Sequence, residues 1–155
     1  ITYLKIDMKP VKGVRYSTYE NGQLSEEGNW IDGKEDGLYR WWYENGQLKW
    51  EVNFIDGKED GLLRTWRENG QLIHEWNYKK GKKEDLQSKW YENGQLSYER
   101  NCKDGQKHGL NRSWHENGKL WTEVMYRDGK EAGLFRRTGD HDHLFQSTFS
   151  GEIQP

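Results

Sequence analysis

The chain has 155 residues, enough for one domain, and a formal net charge of −2 with acidic and basic residues interspersed. Without a basic face, nucleic acid is excluded as the expected partner. No apolar run reaches about 18 residues, which excludes a membrane-spanning helix of ordinary length. Only 32% of the residues are hydrophobic, but nine Trp, nine Tyr and four Phe predict a folded chain with a thin core.

Residues 1–12 come first and are predicted to form half a repeat that caps the array. Leu4 and Ile6 continue the pattern of the repeats that follow. Terminal repeats are expected to be atypical, because an open sheet edge invites aggregation.

Residues 13–134 contain five tandem repeats of 24 residues. The tripeptide Glu-Asn-Gly begins at positions 20, 44, 68, 92 and 116, and an Asp-Gly or Lys-Gly pair begins at 32, 56, 80, 104 and 128. Asn-Gly and Asp-Gly are strong hairpin signals, and both are expected as type I′ turns with two residues at positive φ. The stretches between them are rich in Trp, Tyr and Val and lack proline, so each repeat is predicted to be one β-hairpin.

The two turns of a repeat also predict which residues lie opposite each other on neighbouring strands. Turns at 45–46 and 56–57 give these pairs: Tyr43 with Leu48, Trp41 with Trp50, Arg40 with Glu51, Glu51 with Leu62, and Asn53 with Asp60. The registers set by the two turns have the same parity, so the two faces of the sheet stay consistent from one hairpin to the next. The Arg–Glu pair recurs at Arg64 with Glu75 and at Arg112 with Glu123, and it lapses at Ser88.

This pattern predicts an all-β fold, an elongated single-layer antiparallel meander of tandem 24-residue hairpins. About eleven strands spaced roughly 4.8 Å apart would make a ribbon on the order of 50 Å long. Large side chains occur on both faces, so one twisted layer is expected rather than a sandwich. A rolled or closed sheet is the alternative.

One face of this sheet, here called the constant face, repeats closely. It carries the columns that begin at Leu38, Arg40, Trp42, Glu51 and Asn53. These columns are predicted to be scaffold, with stacked ladders and cation–π contacts between the Trp and Arg columns.

The opposite face is here called the variable face. Its marginal positions carry similar residue types in successive repeats, whereas the residue types in the middle differ from repeat to repeat. The changing positions are Tyr39, Trp41, Trp50, Val52, Leu63, His74, Trp76, Tyr91, Tyr98 and Arg100. Variation among copies of one scaffold is typical of a specific binding surface, although the aromatic rings could equally serve only to cover a single layer. The residues predicted to contact a partner are Tyr39, Trp41, Trp50, His74, Trp76 and Tyr98.

Residues 27–38, Glu-Gly-Asn-Trp-Ile-Asp-Gly-Lys-Glu-Asp-Gly-Leu, resemble the MORN repeat, which has Gly-x-aromatic followed by Gly-Lys-x-x-Gly. Residues 105–109, Gly-Gln-Lys-His-Gly, are similar to its second half. The Glu-Asn-Gly-Gln-Leu element and the 24-residue period are similar to the bacterial MORN-repeat variant. The resemblance covers residues 12–134. It implies an elongated antiparallel sheet that docks proteins, and proteins of that group are often described as antitoxin components of toxin–antitoxin pairs.

Some positions depart from this pattern. Lys80 and Asp85 replace the usual Asp and Gly of the third repeat. The residues that stand where the first repeat has Gly28 are Val52, Trp76, Arg100 and Val124.

The variable face and the resemblance together predict a non-enzymatic protein-binding scaffold, most concretely an antitoxin or immunity protein that neutralises a cognate toxin. The alternative is a cell-surface or structural adhesion module. Phospholipid binding comes third, because mixed charge does not favour anionic lipid. No secretory signal is visible, so the cytoplasm is the preferred location. A surface location would apply if an N-terminal signal had been removed.

Chemistry is not expected from this chain. Its glutamates form many equivalent carboxylates, whereas catalysis needs one asymmetric constellation, so neither an enzyme nor a cofactor is predicted. His141 and His143 alternate along a strand and are candidates for a divalent metal, with a polar turn as the preferred interpretation. Cys102 stands where the other repeats have the aromatic residues Trp30, Phe54, Tyr78 and Tyr126, and it is expected to pack as a small hydrophobe. Residues 135–155, where the repeat decays, are predicted to form a degenerate C-terminal cap.

Overall fold

The structure, a computed structural model, describes residues 12–137. These residues form the strands β1 (Lys12–Thr18), β2 (Leu24–Ile31), β3 (Lys34–Trp42), β4 (Leu48–Ile55), β5 (Lys58–Glu59), β6 (Gly61–Trp66), β7 (Leu72–Lys79), β8 (Lys82–Trp90), β9 (Leu96–Lys103), β10 (Gln106–Lys107), β11 (Gly109–Trp114), β12 (Leu120–Arg127) and β13 (Lys130–Arg137). Among the residues described, no helix has the length and apolar character needed to cross a membrane.

All the strands belong to one antiparallel sheet whose order follows the chain, β1-β2-β3-β4-β6-β7-β8-β9-β11-β12-β13. The short strands β5 and β10 pair with β4 and β9, just before β6 and β11 begin. Within the described range β1 and β13 do not pair with each other, so the sheet is open. The predicted single-layer meander is therefore confirmed, and the closed sheet is not formed. The predicted caps lie outside the described residues except at Lys12 and at 135–137, which belong to β1 and β13.

The Glu-Asn-Gly turn differs from the predicted type I′ turn. In the second repeat the amide of Gly46 donates to the carbonyl of Tyr43 at 2.9 Å. Gly46 has a φ of 82°, whereas Asn45 is not among the residues with positive φ. The loop is thus a three-residue loop with a left-handed glycine and a bulge. Because of this bulge Leu48 lies opposite Trp42, and its predicted pairing with Tyr43 is wrong.

The asparagine side chain of this turn makes hydrogen bonds both within its own loop and to the next repeat. Asn45 Oδ1 accepts a hydrogen bond from the amide of Gln47 at 2.9 Å, and its Nδ2 donates to the carbonyl of Glu68 at 3.0 Å. Asn21 and Asn93 make the same two kinds of bond. The recurrence of asparagine is therefore explained by its side-chain donor and acceptor.

Tyrosine hydroxyls couple the repeats at the same edge of the sheet. Each one donates to the backbone carbonyl of the tryptophan 23 residues further along the chain. The pairs are Tyr19 with Trp42 at 2.6 Å, Tyr43 with Trp66 at 2.9 Å and Tyr91 with Trp114 at 2.8 Å. These bonds help each repeat to order its neighbour.

The Asp-Gly turn has the predicted type I′ conformation. Asp56 and Gly57 both have positive φ, at 52° and 76°. The amide of Gly57 donates to the carbonyl of Glu35 in the preceding repeat at 2.8 Å. Lys80 takes the aspartate position of the third repeat with a φ of 51°, so the turn tolerates the substitution.

A bulge follows each Asp-Gly turn and changes the register. Glu51 lies opposite Arg64, so its predicted pairing with Leu62 is wrong. The register shifts by two residues between the pair Phe54–Glu59 and the pair Glu51–Arg64, and Gly61 in this interval has a φ of 106°. A left-handed residue is needed there, which explains the glycine.

The predicted pairing of Asn53 with Asp60 is confirmed and stabilises this bulge. The amide of Asp60 donates to the carbonyl of Asn53 at 2.9 Å, and Asn53 Nδ2 donates to the carbonyl of Asp60 at 3.1 Å. Since this bulge shifts the register by two residues, it leaves the alternation of side chains between the two faces along the paired strands unchanged.

The core of the single layer lies on the variable face, along one row that crosses the strands. We call it the central row: Arg15, Gly28, Tyr39, Val52, Leu63, Trp76, Gln87, Arg100, Asn111 and Val124. Val52 is 0% exposed, and Leu63, Gln87, Asn111 and Val124 are also buried. The aromatic side chains of the variable face therefore cover part of the sheet as well as presenting a surface.

Candidate binding surface

A second row lies beside the central row on the same face. This outer row consists of Ser17, Glu26, Trp41, Trp50, Thr65, His74, Lys89, Tyr98, Ser113 and Thr122, each opposite the next. The predicted contact residues divide between the rows, with Tyr39 and Trp76 in the central row and the other four in the outer row. The structure therefore places them on one face, and their contact with a partner stays a prediction.

Five rings pack together at one end of this face and form what we call the aromatic cluster: Trp30, Tyr39, Trp41, Trp50 and Phe54. Tyr39 is at its centre and meets the other four edge-on, with centroids 5.5–6.5 Å away. Trp41 and Trp50 face each other across β3 and β4 with centroids 4.6 Å apart. Such pairs add about 0.5–1.5 kcal/mol each beyond the area they bury. Burial raises the pKa of the Tyr39 hydroxyl, and Glu26 and Glu35 add to the rise.

Gly28 makes room for this cluster. The ring of Tyr39 lies where a Cβ atom at position 28 would stand. The later repeats carry a side chain at the same position, so only the first repeat can hold a tyrosine ring in this way. Packing of the aromatic cluster thus requires glycine at position 28, where the later repeats carry a side chain.

Trp41 is the most exposed of the predicted contact residues, with 37% of its surface accessible. Its Nε1 donates to a carboxylate oxygen of Glu26, and the hydroxyl of Ser17 donates to the other oxygen at 3.0 Å. The indole is therefore fixed in position while one side remains available to solvent. The other predicted contact residues are half-buried.

His74 and Trp76 form a separate pair of rings, with centroids 4.4 Å apart. His74 Nδ1 is 2.9 Å from the hydroxyl of Thr65, and the ammonium of Lys83 lies 4.1 Å from the centroid of a Trp76 ring. Burial lowers the pKa of His74, and Lys89 and Lys83 add to this by repelling a second positive charge. The lowered pKa favours the neutral form of the imidazole, which lies beside an indole in contact with the Lys83 ammonium.

Tyr98 stands apart from both groups. Lys89 lies between it and His74 in the outer row, and the guanidinium of Arg100 lies 4.0 Å from the Tyr98 ring centroid. Tyr91, which the sequence assigned to the variable face, lies just after β8, and its hydroxyl donates to the carbonyl of Trp114 in the next repeat. The predicted surface is therefore three separate groups of side chains.

Five segments of the chain match the family model described as the MORN repeat variant: residues 12–32, 35–56, 59–80, 86–104 and 107–128. The protein belongs to the MORN repeat variant family. No curated protein matches the chain. Each MORN segment ends at or beside an Asp-Gly or Lys-Gly turn and contains one Glu-Asn-Gly loop at its centre. The family unit is therefore the hairpin described above. MORN repeats are non-catalytic repeat modules, and membership of this family suggests a module for binding.

The constant face of the MORN sheet carries a ladder of charged residues, each opposite the next: Glu27, Arg40, Glu51, Arg64, Glu75, Ser88, Glu99, Arg112 and Glu123. The predicted pairs of arginine and glutamate are confirmed, as is the lapse at Ser88. Each arginine lies between two glutamates, which the predicted register did not show. These half-buried side chains remain partly accessible to solvent, so each pair contributes little individually, about 0–1 kcal/mol.

The cation–π contacts of the MORN sheet lie elsewhere than predicted. Among the side chains of residues 12–133, none joins a ladder arginine to a tryptophan of the constant face. Those found are Arg15 with Trp30, Lys83 with Trp76, Arg100 with Tyr98 and Lys107 with Tyr126 on the variable face, and Lys49 with Tyr43 at a turn. The ladder arginines instead form ion pairs with glutamates.

Sequence reasoning missed Glu26 and Thr65, which orient Trp41 and His74. Their positions depend on the register, and the predicted register would have placed Leu63 rather than Thr65 opposite Trp50. Burial raises the pKa of the half-buried Cys102 thiol, consistent with a packing role. The metal candidates His141 and His143 lie outside the described residues.

Proposed function

We propose that this protein is a non-enzymatic scaffold that binds another protein through its variable face. The observation that carries the proposal is Trp41. Its indole is 37% exposed, is fixed by Glu26, and is backed by Trp50 and Tyr39. Trp and Tyr that are already ordered lose little entropy on binding and are frequent hot-spot residues.

The arrangement around Trp41 supports the same proposal. The tyrosine and asparagine bonds between repeats stiffen the sheet, so a partner meets a surface that is already formed. Beyond Thr65 the same row offers His74 and, two strands further, Tyr98. Successive repeats thus present different chemistry at equivalent positions, which gives specificity to a long contact.

The most concrete form of the proposal is an antitoxin or immunity protein that covers a cognate toxin. The similarity to bacterial MORN-repeat variants supports this form. The mechanism would be steric occlusion by an aromatic surface without a chemical step. In such a complex the indole of Trp41 would be buried against the toxin.

Co-expression with the product of the adjacent gene tests this function. If that product arrests growth, the wild-type protein should restore growth and co-purify with it, whereas Trp41→Ala should do neither. Trp121→Ala is the matched control, since Trp121 is 49% exposed in β12 and belongs to neither row. Equal rescue by both variants would contradict the choice of face. Binding to anionic phospholipid vesicles but to no protein would contradict the proposal itself.

A further inference from the structure

The charge ladder of the constant face has one interruption, at Ser88. From Glu27 to Glu123 the row alternates between glutamate and arginine, and only the position opposite Glu75 and Glu99 lacks a cation. Every other position between two of these glutamates carries an arginine, at 40, 64 and 112.

Arg64 shows how a guanidinium can occupy this kind of position. Arg64 Nε lies 2.9 Å from Glu75 Oε2, while its Nη1 lies 3.8 Å from Glu51 Oε1 on the other side. One planar group therefore reaches carboxylates on both neighbouring strands. A guanidinium suits this role because its donors point in several fixed directions.

At the interruption the groups that would hold a guanidinium have no intramolecular cation between them. Ser88 is only 6% exposed, and among the side chains described, those of residues 12–133, its hydroxyl has no hydrogen-bond partner. Glu99 makes no ion pair within that range, because Arg112, which lies opposite it, directs its Nε to Glu123 at 2.6 Å. The serine side chain ends at Oγ, short of the level at which the arginines meet their glutamates.

We propose that this Ser88 gap binds an arginine side chain of a partner protein. The guanidinium would lie between the carboxylates of Glu75 and Glu99 and above the hydroxyl of Ser88, as the guanidinium of Arg64 lies between Glu51 and Glu75. Leu86 lies two residues away on the same face and is 37% exposed, so it can cover the aliphatic part of the arginine. The gap is on the face opposite the aromatic cluster and does not depend on the function proposed for that cluster.

The spacing of the two glutamates favours a guanidinium over a metal ion. They stand on β7 and β9, two strand spacings apart, or roughly 9.6 Å between backbones. A metal ion would need both carboxylates within about 2.0–2.6 Å, whereas a guanidinium spans more of the gap and donates from two edges.

The test is a titration of the full ¹⁵N-labelled chain with the peptide acetyl-Gly-Arg-Gly-amide, followed by amide chemical shifts. We expect saturable shifts centred on residues 75, 88 and 99, and weaker binding of the lysine analogue. S88R supplies the missing cation within the chain and should abolish these shifts. E99Q should weaken binding roughly tenfold through loss of a charged hydrogen bond.

E27Q is the matched control, because it removes the same charge from the same ladder at its far end and should leave the affinity unchanged. Absence of saturable shifts in the wild-type chain would overturn the proposal. So would unchanged peptide binding in S88R, or equal weakening by E27Q and E99Q, which would indicate nonspecific charge attraction. Should S88R fail to fold, the comparison of E99Q with E27Q still decides the matter.

Discussion

The ring of Tyr39 lies across Gly28 on the neighbouring strand, in the space that a side chain at position 28 would occupy. This contact shows how a single-layer sheet can contain a core. No second layer covers the variable face within the described residues, so large rings lean over small neighbours in the same sheet. The aromatic cluster therefore depends on the absence of a side chain at one position.

Gly28→Ala is expected to destabilise the protein by about 1–3 kcal/mol, the range for inserting a methyl group into a filled space. Chemical denaturation followed by tryptophan fluorescence would measure the loss. Gly13→Ala is the matched control, because a Cβ atom there has nothing within 4 Å. Equal effects of the two variants would contradict the proposed packing of Tyr39 over Gly28.

The tyrosine hydrogen bonds between repeats predict that two Tyr→Phe variants differ in stability. Tyr43→Phe removes the hydroxyl that donates to the carbonyl of Trp66 at 2.9 Å and should lower the free energy of unfolding by about 0.5–1.5 kcal/mol. Tyr16→Phe removes a hydroxyl from a side chain that is 71% exposed and should have no measurable effect. If the two losses were equal, the inter-repeat bond would not contribute to stability.

Much of this fold could be predicted because the repeat marks its own turns. Glycine spacing and aromatic strands gave the hairpins, and parity gave the two faces, including the common face of Tyr39 and Trp76. The register could not be obtained in the same way. Bulges such as the one at Gly61 add residues without changing the parity of the pattern, so the sequence contained no signal that Glu51 pairs with Arg64.

The candidate surface was predictable only as a set of residues on one face. Which rings meet depends on the register and on side-chain direction. Lys89, which separates His74 from Tyr98, and Glu26, which fixes Trp41, became apparent only from the strand pairing. The burial of residues such as Val52 and Leu63 in the central row also became apparent only from the structure, in which Tyr39 and Trp76 pack beside them.

Asp85 is expected to cost stability where the equivalent residues are glycine. Its φ is 56°, while Gly37, Gly61 and Gly109 have φ values of 105°, 106° and 92°. Asp85→Gly should raise the free energy of unfolding by about 0.5–1 kcal/mol, because a left-handed backbone is disfavoured for a residue with a side chain. Asp60→Gly should have the opposite effect, since Asp60 has no positive φ and its carboxylate accepts a bond from the amide of Lys80 at 3.1 Å. A gain in that variant, or a loss in Asp85→Gly, would contradict this account of the bulge.

His74 predicts a dependence of stability on pH. Burial holds the pKa of His74 below its ordinary value of 6.5, so at lower pH the unfolded chain binds the proton more readily than the folded protein does. The free energy of unfolding should therefore fall as the pH drops through 6.5 and below, and His74→Gln should reduce that fall. Denaturation series of the wild type and His74→Gln at several pH values would measure it. An unchanged slope in His74→Gln would count against burial of this imidazole.

The most direct test of the central claim is the affinity of the purified protein for its partner, measured by calorimetry for the wild type, Trp41→Ala and Trp121→Ala. If the variable face makes the contact, Trp41→Ala should weaken binding by at least about 2 kcal/mol, roughly thirtyfold, as expected for a hot-spot tryptophan. Trp121→Ala should bind as the wild type does. An unchanged affinity for Trp41→Ala together with a loss for Trp121→Ala would contradict the account and place the contact elsewhere on the sheet.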